Sequence, residues 1–107
     1  MLPTMKNLKK FKAKIFKALS DPIRLKILEY LRNGEKCVCE IIPYVGASQP
    51  IVSRHLAILK RCGLVKDRQE GNKRFYFVTN PAIFKVIDDV NDELLDALVK
   101  HVIEQIA

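Results

Sequence analysis

The chain has 107 residues, 49% of them hydrophobic and 29% charged, which fits one globular domain over 1–107 and argues against a second. No apolar run approaches the roughly 18 residues of a membrane span, and the basic opening MLPTMKNLKKFKAKIFKAL lacks the apolar stretch and cleavage site of a secretory signal. Three cysteines is an odd count, and Cys37 and Cys39 are too close to staple a loop, so a reducing, cytoplasmic setting is expected over a secreted disulfide framework.

The net charge of +7 is unevenly placed: residues 1–80 carry 17 Lys or Arg against 6 Asp or Glu, giving +11, whereas residues 81–107 carry 2 against 6, giving −4. A body this basic attracts polyanions, nucleic acid above all. Lysines that only keep a small protein soluble would give the same total, so the pattern has to decide.

Leu8, Phe11, Ile15, Ala18 and Leu19 recur every three or four residues and predict an amphipathic first helix over 6–19 with a lysine-rich outer face. Asp21-Pro22 restarts the chain with an N-cap residue and a proline at the first helical position, where its missing N–H costs nothing. The second helix runs to about Leu31 on Ile23, Ile27, Leu28 and Leu31, and Asn33-Gly34 ends it. The segment from Cys37 to Gly46 begins extended and becomes a short helix; a proline is comfortable only in the first turn, so Pro43 puts the N-cap near Glu40. Ser48-Gln49-Pro50 then opens a helix to Arg61 with Val52, Leu56 and Leu59 inward and Gln49, Ser53, Arg54 and Lys60 outward.

Two short helices joined by about three residues around a glycine, the second polar and basic on its outer face, form a helix-turn-helix. Leu64–Arg68 and Arg74–Val78 have strand composition around a tip at 69–73, and a basic hairpin in this place reads as a wing, with Arg68, Lys73 and Arg74 spaced to reach phosphates or a minor groove. A last helix over 81–106 carries Ile83, Ile87, Val90, Leu94, Leu98 and Val102 in one stripe, widened by Leu95, Val99, Ile103 and Ile106. So broad an apolar band in a small protein predicts a symmetric partner. The expected fold is mainly α with a small β-hairpin, a winged helix-turn-helix that dimerises through its first and last helices and meets double-stranded DNA.

The run from Lys17 to Val78, with KALSDPIRLKILEYL, CVCEI, SQPIVSRHLAILKRCGLV and KDRQEGNKRFYFV in that order, resembles the ArsR/SmtB family of metal-sensing repressors. The resemblance implies a dimer, held by its first and last helices, that leaves operator DNA when an inducer binds. It also implies that Gln49, Ser53, Arg54 and His55 lie at the major groove, beside Ser48. Glutamine pairs bidentately with adenine and arginine with guanine. His55, one turn before Leu59, has an alternative in packing inward.

For the signal, Cys37 and Cys39 match the family's CVC motif, whose thiolates bind arsenite, antimonite, cadmium, lead or zinc. In arsenite-sensing relatives a third cysteine falls where this chain has Ile42, and the N-terminal cysteines of cadmium sensors are lacking. A weaker second site follows from zinc-sensing relatives, whose last-helix ligands align with Asp88, Val90, His101 and Glu104; the valine removes a nitrogen ligand, and the set can meet only across a dimer. Three other readings stay open: a thiol-redox repressor in which Cys62 pairs with the CxC or across subunits, a family member with no working inducer site, and a CxC thiol oxidoreductase. The last lacks the C-x-x-C and βαβ context of such enzymes, and no catalytic set is visible, so a non-enzyme is expected.

Overall fold

The computed structural model describes residues 5–106. Residues 1–4 and 107, and with them the ends of the single domain expected over 1–107 and the start of the segment read for a secretory signal, lie outside the described residues. The elements run α1 (Met5–Leu19), α2 (Pro22–Tyr30), a 3-10 turn (Leu31–Asn33), β1 (Lys36–Cys37), α3 (Val38–Val45), α4 (Gln49–Arg61), β2 (Val65–Glu70), β3 (Lys73–Val78), α5 (Ala82–Asp89) and α6 (Asp92–Ile106).

Local chemistry sets most of these boundaries. Asp21 caps α2, its Oδ1 accepting from the amides of Ile23 at 2.8 Å and Arg24 at 3.3 Å. Gly46 ends α3 in the left-handed conformation at φ 76°, and its amide donates to the Ile42 carbonyl at 3.0 Å. Three residues, Gly46, Ala47 and Ser48, thus turn α3 into α4.

Pro43 departs from expectation. α3 starts earlier than the sequence indicates, because Cys37 is its N-cap: Cys37 Sγ accepts from the Cys39 amide at 3.1 Å, and the Glu40 carboxylate accepts from the Cys37 amide at 3.3 Å. The reciprocal cap closes the first turn around Cys37, and Pro43 falls inside the helix, which is one N–H donor short there. Cys39 therefore lies inside the first turn of α3 and Cys37 at its mouth.

The hairpin is part of a three-stranded antiparallel sheet in the order β1-β3-β2. Cys37 pairs with Phe75, and Phe75 pairs on its other side with Arg68. Glu70 faces Lys73 across a two-residue turn in which Gly71 takes φ 61°, so the strands reach further toward the tip than expected.

The last helix is two helices. Asn91 breaks it: its Oδ1 accepts from the Leu94 amide at 3.0 Å and its carbonyl from the Leu95 amide at 2.9 Å, which makes Asn91 the N-cap of α6.

The core lies between α2, α3 and α4, where Ile27, Leu28, Ile41, Val52, Leu56 and Leu59 are sealed from solvent, closed by Leu64, Val65 and Phe84. Among the described residues α6 buries none of its side chains, and Leu98 and Ile103 stay 53% and 58% exposed. Leu8, Phe11 and Phe16 of α1 are exposed as well. α1 and α6 therefore each carry apolar side chains that the other described residues leave uncovered.

Candidate nucleic-acid interface

α4 presents two faces. Val52, Leu56 and Leu59 anchor it in the core, while Ser48, Gln49, Ser53 and Arg54 are exposed. Gln49 and Ser53 are four residues apart and so stand on one side of the helix. Ser48 caps α4 without a side-chain hydrogen bond, which leaves its hydroxyl available to a partner.

His55 turns the other way. It is 7% exposed, and Arg24 Nη1 donates to its Nδ1 at 3.0 Å. A guanidinium has only donors, so Nδ1 is the acceptor and the ring proton sits on Nε2. Arg24 also donates through Nε to the Ala18 carbonyl at 2.6 Å and through Nη2 to the Lys17 carbonyl at 3.3 Å. This one side chain ties α4 to the C-terminal end of α1. The groove-facing place that the family resemblance implies for His55 is not where its ring lies.

The wing's charges are largely engaged. Arg68 forks onto Glu35, Nε to Oε2 at 2.7 Å and Nη2 to Oε1 at 2.5 Å, pairs with Glu70 at 2.9 Å, and stacks on Phe75. Arg68 holds the Glu35 carboxyl below its usual range. Asp67, its side chain 10% exposed, accepts from Lys60 at 3.0 Å and from Arg74 at 2.6 Å. Lys60, then Arg74, keep the Asp67 carboxyl low against the opposing effect of burial. The end of α4 is thereby bolted to the wing. Lys73 is exposed and makes no ion pair among the described residues.

The thiols stand beside this surface. Cys37 is buried and Cys39 exposed, their Cα atoms are 5.1 Å apart, and their sulfurs are bonded to each other. A cavity of about 360 Å³ opens here, lined by Cys37, Cys39, Gln49, Ser53, Lys73 and Arg74. Cys62 lines a different cavity with Lys14, Lys17, Arg24 and Arg61, and its Sγ donates to the Leu59 carbonyl at 3.3 Å. Within this chain Cys62 is unbonded and the sulfur–sulfur bond lies within the CxC itself, so the redox alternative in which Cys62 pairs with Cys37 or Cys39 is not the arrangement seen.

The second, weaker site is not assembled within the chain. Asp88 accepts from Arg32 at 2.8 and 2.9 Å, which lowers its pKa. His101 meets Gln105 at 3.0 Å on α6, across the Asn91 break from Asp88, and Glu104 is exposed. Among the described residues no group of three or more His, Cys, Asp or Glu is placed to hold a metal ion. No helix among them is long and apolar enough to cross a membrane.

The Arg24–His55 link, the Glu35–Arg68 fork and the Lys60–Asp67–Arg74 bolt were not foreseen. Only the last had a sequence signal, since hairpin register places Asp67 and Arg74 on neighbouring strands.

A model of the arsR family of bacterial regulatory proteins matches residues 21–67, from the cap of α2 into the wing. An HTH-type transcriptional regulator of Methanocaldococcus jannaschii is 46% identical over 75% of this chain and 91% of its own length. The arsenical resistance operon repressor of Escherichia coli K12 is 37% identical over 85% of this chain and 84% of its own. The chain belongs to the arsR family. A solved structure of the homodimeric winged helix-turn-helix DNA-binding domain of a Mycobacterium bovis protein matches this arsR-family chain with a TM-score of 0.78 at 31% identity. That match covers 91% of this chain and 93% of the other.

Proposed function

We propose that this arsR-family protein is a cytoplasmic homodimeric repressor that holds double-stranded operator DNA and lets go when a thiophilic metal or metalloid binds Cys37 and Cys39. Arsenite, antimonite and cadmium are the ligand class. The bare apolar faces of α1 and α6 are covered by a second copy, a reading supported by the homodimeric mycobacterial neighbour. A twofold dimer offers two α4 helices to half-sites about 34–36 Å apart, or a multiple of that.

Gln49 and Arg54 read base edges, with Ser48, Ser53 and Lys73 on phosphates or bases. Arg68 and Arg74 shape the wing through Glu35, Glu70, Asp67 and Gln69, and the N–H groups these contacts leave over are offered to phosphate. His55 positions α4 from behind.

The observation that carries the proposal is that the thiol pair opens into the same cavity as the outward face of α4. Two adjacent sulfurs fit an ion or metalloid that accepts two soft thiolates once the pair is reduced. With Ile42 where a third cysteine would stand, the remaining position falls to water or a small exogenous ligand.

The test is duplex affinity of the reduced protein with arsenite, cadmium and zinc, in the wild type and in Cys37→Ser/Cys39→Ser. Release in the wild type and none in the double variant is the expected result; equal release in both contradicts the assignment. The sulfur–sulfur bond favours a second reading, oxidation of this same pair as the signal. Peroxide treatment followed by mass spectrometry separates the two, since only the redox reading ties release to a Cys37–Cys39 disulfide.

A further inference from the structure

A second cavity lies at the other end of α4, away from the thiol pair. It holds about 430 Å³ and is lined by Lys14 and Lys17 of α1, Arg24 of α2, and Ile58, Arg61 and Cys62 at the end of α4. No carboxylate lines it. Lys14, Lys17 and Arg61 are exposed and make no ion pair among the described residues, whereas Arg68 and Arg74 of the wing each lean on a carboxylate. Arg24 is engaged differently: it donates to the Ala18 and Lys17 carbonyls and to His55, so it adds charge to the recess while holding α1 to α4.

Like charges three residues apart on a helix repel, and here Lys14 and Lys17 are gathered in one recess with two guanidinium groups. A bound anion offsets that repulsion. The stripe also continues beyond the recess, since Lys10, Lys14 and Lys17 follow the helical period along one side of α1. Cations in a row suit a linear polyanion better than a compact one.

The recess also lies on the path of a duplex. Arg61 follows Arg54 by two turns, so both stand on the outward side of α4, about 10 Å apart along its axis. With 13 residues α4 is about 20 Å long, more than the roughly 12 Å width of a major groove. A helix that meets bases with its first turns therefore brings its last turn to the phosphates bordering the groove. The apolar side of α1 is separate: Phe16, about 200° round the helix from Lys14, lines another cavity with Val86, Val90 and Leu95. A second copy covering that side leaves the lysine stripe open.

We propose that the recess between the ends of α1 and α4 is a site for the sugar–phosphate backbone of the bound duplex, with Lys14, Lys17 and Arg61 each meeting a phosphate beyond the bases that Gln49 and Arg54 read. The inference rests on the DNA binding of the proposed function and adds to it an anchor that carries no sequence information. Such an anchor is read in the salt dependence of affinity, because each phosphate neutralised releases counterions and steepens the fall of log K with log salt by about 0.9.

The protein is reduced with a phosphine, which is then removed, and anisotropy is followed at rising salt on a duplex that the protein itself has selected from random-sequence DNA. In a dimer Lys14→Gln/Lys17→Gln gives up four contacts and should flatten the slope by about 3.5, so that between 50 and 200 mM salt the wild type loses about 100-fold more affinity than the variant. Arg61→Gln should flatten it by about 2. Both are expected to keep the urea midpoint and the preference for the selected over a scrambled duplex. Lys9→Gln/Lys12→Gln removes as much charge from the other side of α1 and should leave the slope within about 1 of the wild type. An unchanged slope in Lys14→Gln/Lys17→Gln overturns the inference, and so does equal flattening by the two pairs, which makes bulk charge responsible.

Cys62 supplies a second readout from inside the recess. Its alkylation by iodoacetamide, resolved from that of Cys37 and Cys39 by peptide mass spectrometry, should slow when the selected duplex is bound. A rate that duplex leaves unchanged, or that only sodium tripolyphosphate lowers, overturns the inference: the recess is then empty in the complex, or belongs to a small free anion. A wild type that binds no duplex at low salt overturns the proposed function, and the inference with it.

Discussion

Replacing His55 by alanine separates a positioning histidine from a base-reading one. In the structure its ring is 7% exposed and receives Arg24 Nη1 at 3.0 Å, while the rest of Arg24 is fastened to the carbonyls of Ala18 and Lys17. His55→Ala removes a hydrogen bond from a charged donor, worth about 1.5–3 kcal/mol, and leaves a void behind α4. Arg24 is only half-buried, so water recovers part of the lost bond, and a net cost of about 1–3 kcal/mol is expected. With a urea slope of about 2 kcal/mol/M, the unfolding midpoint falls by about 0.5–1.5 M at fixed protein concentration. Gln49→Ala, at an exposed position, is expected to stay within about 0.5 kcal/mol of the wild type while losing duplex affinity. A His55→Ala protein with an unmoved midpoint and a sharp loss of affinity for its selected duplex would refute this reasoning and restore the groove-facing role.

Three further outcomes follow from the same contacts. Asp67→Asn weakens the bonds to Lys60 and Arg74, both about half-exposed, and is expected to lower urea stability by about 1–2 kcal/mol, with the deficit shrinking in high salt. Leu98→Lys puts a charge in the bare stripe of α6; sedimentation should show dimer dissociation weakened more than tenfold, since symmetry counts the change twice, with helical circular dichroism retained. Glu35, Asp67 and Asp88 all have lowered folded pKa values. Their contribution is complete above the ordinary carboxylate value of about 4 and is lost as pH falls through the lower folded values, so urea midpoints should drop between about pH 5 and pH 3. Glu35→Gln should flatten part of that slope.

What was legible in the sequence was local. Asp21 before Pro22 announces a cap, Gly46 a left-handed turn, and the 3.6-residue period sends Val52, Leu56 and Leu59 inward while Gln49, Ser53 and Arg54 go out, as the structure has them. What depended on distant partners was not. His55 is set by Arg24, 31 residues earlier, and Arg68 by Glu35, 33 residues earlier. The cap on α3 was missed because a cysteine sulfur serves where a hydroxyl or carboxylate is the usual cap, and that displaced Pro43 from the first turn into the helix. The break at Asn91 was hidden because Val90 and Leu94 keep the helical period across it, and only the Asn91 side chain, satisfying the Leu94 amide, reveals the new start.

The central claim is that the outward edge of α4 enters a DNA groove, and one titration addresses it most directly. Anisotropy is measured for the wild type, Gln49→Ala and Arg54→Ala on the self-selected duplex and on a scrambled duplex of the same length, at low and at physiological salt. The account predicts that the wild type prefers the selected duplex by at least about a thousandfold at physiological salt. It also predicts that each variant loses about 1–3 kcal/mol of that preference while binding the scrambled duplex much as before. Variants that keep the full preference, or a wild type that ignores both duplexes at low salt, would contradict it.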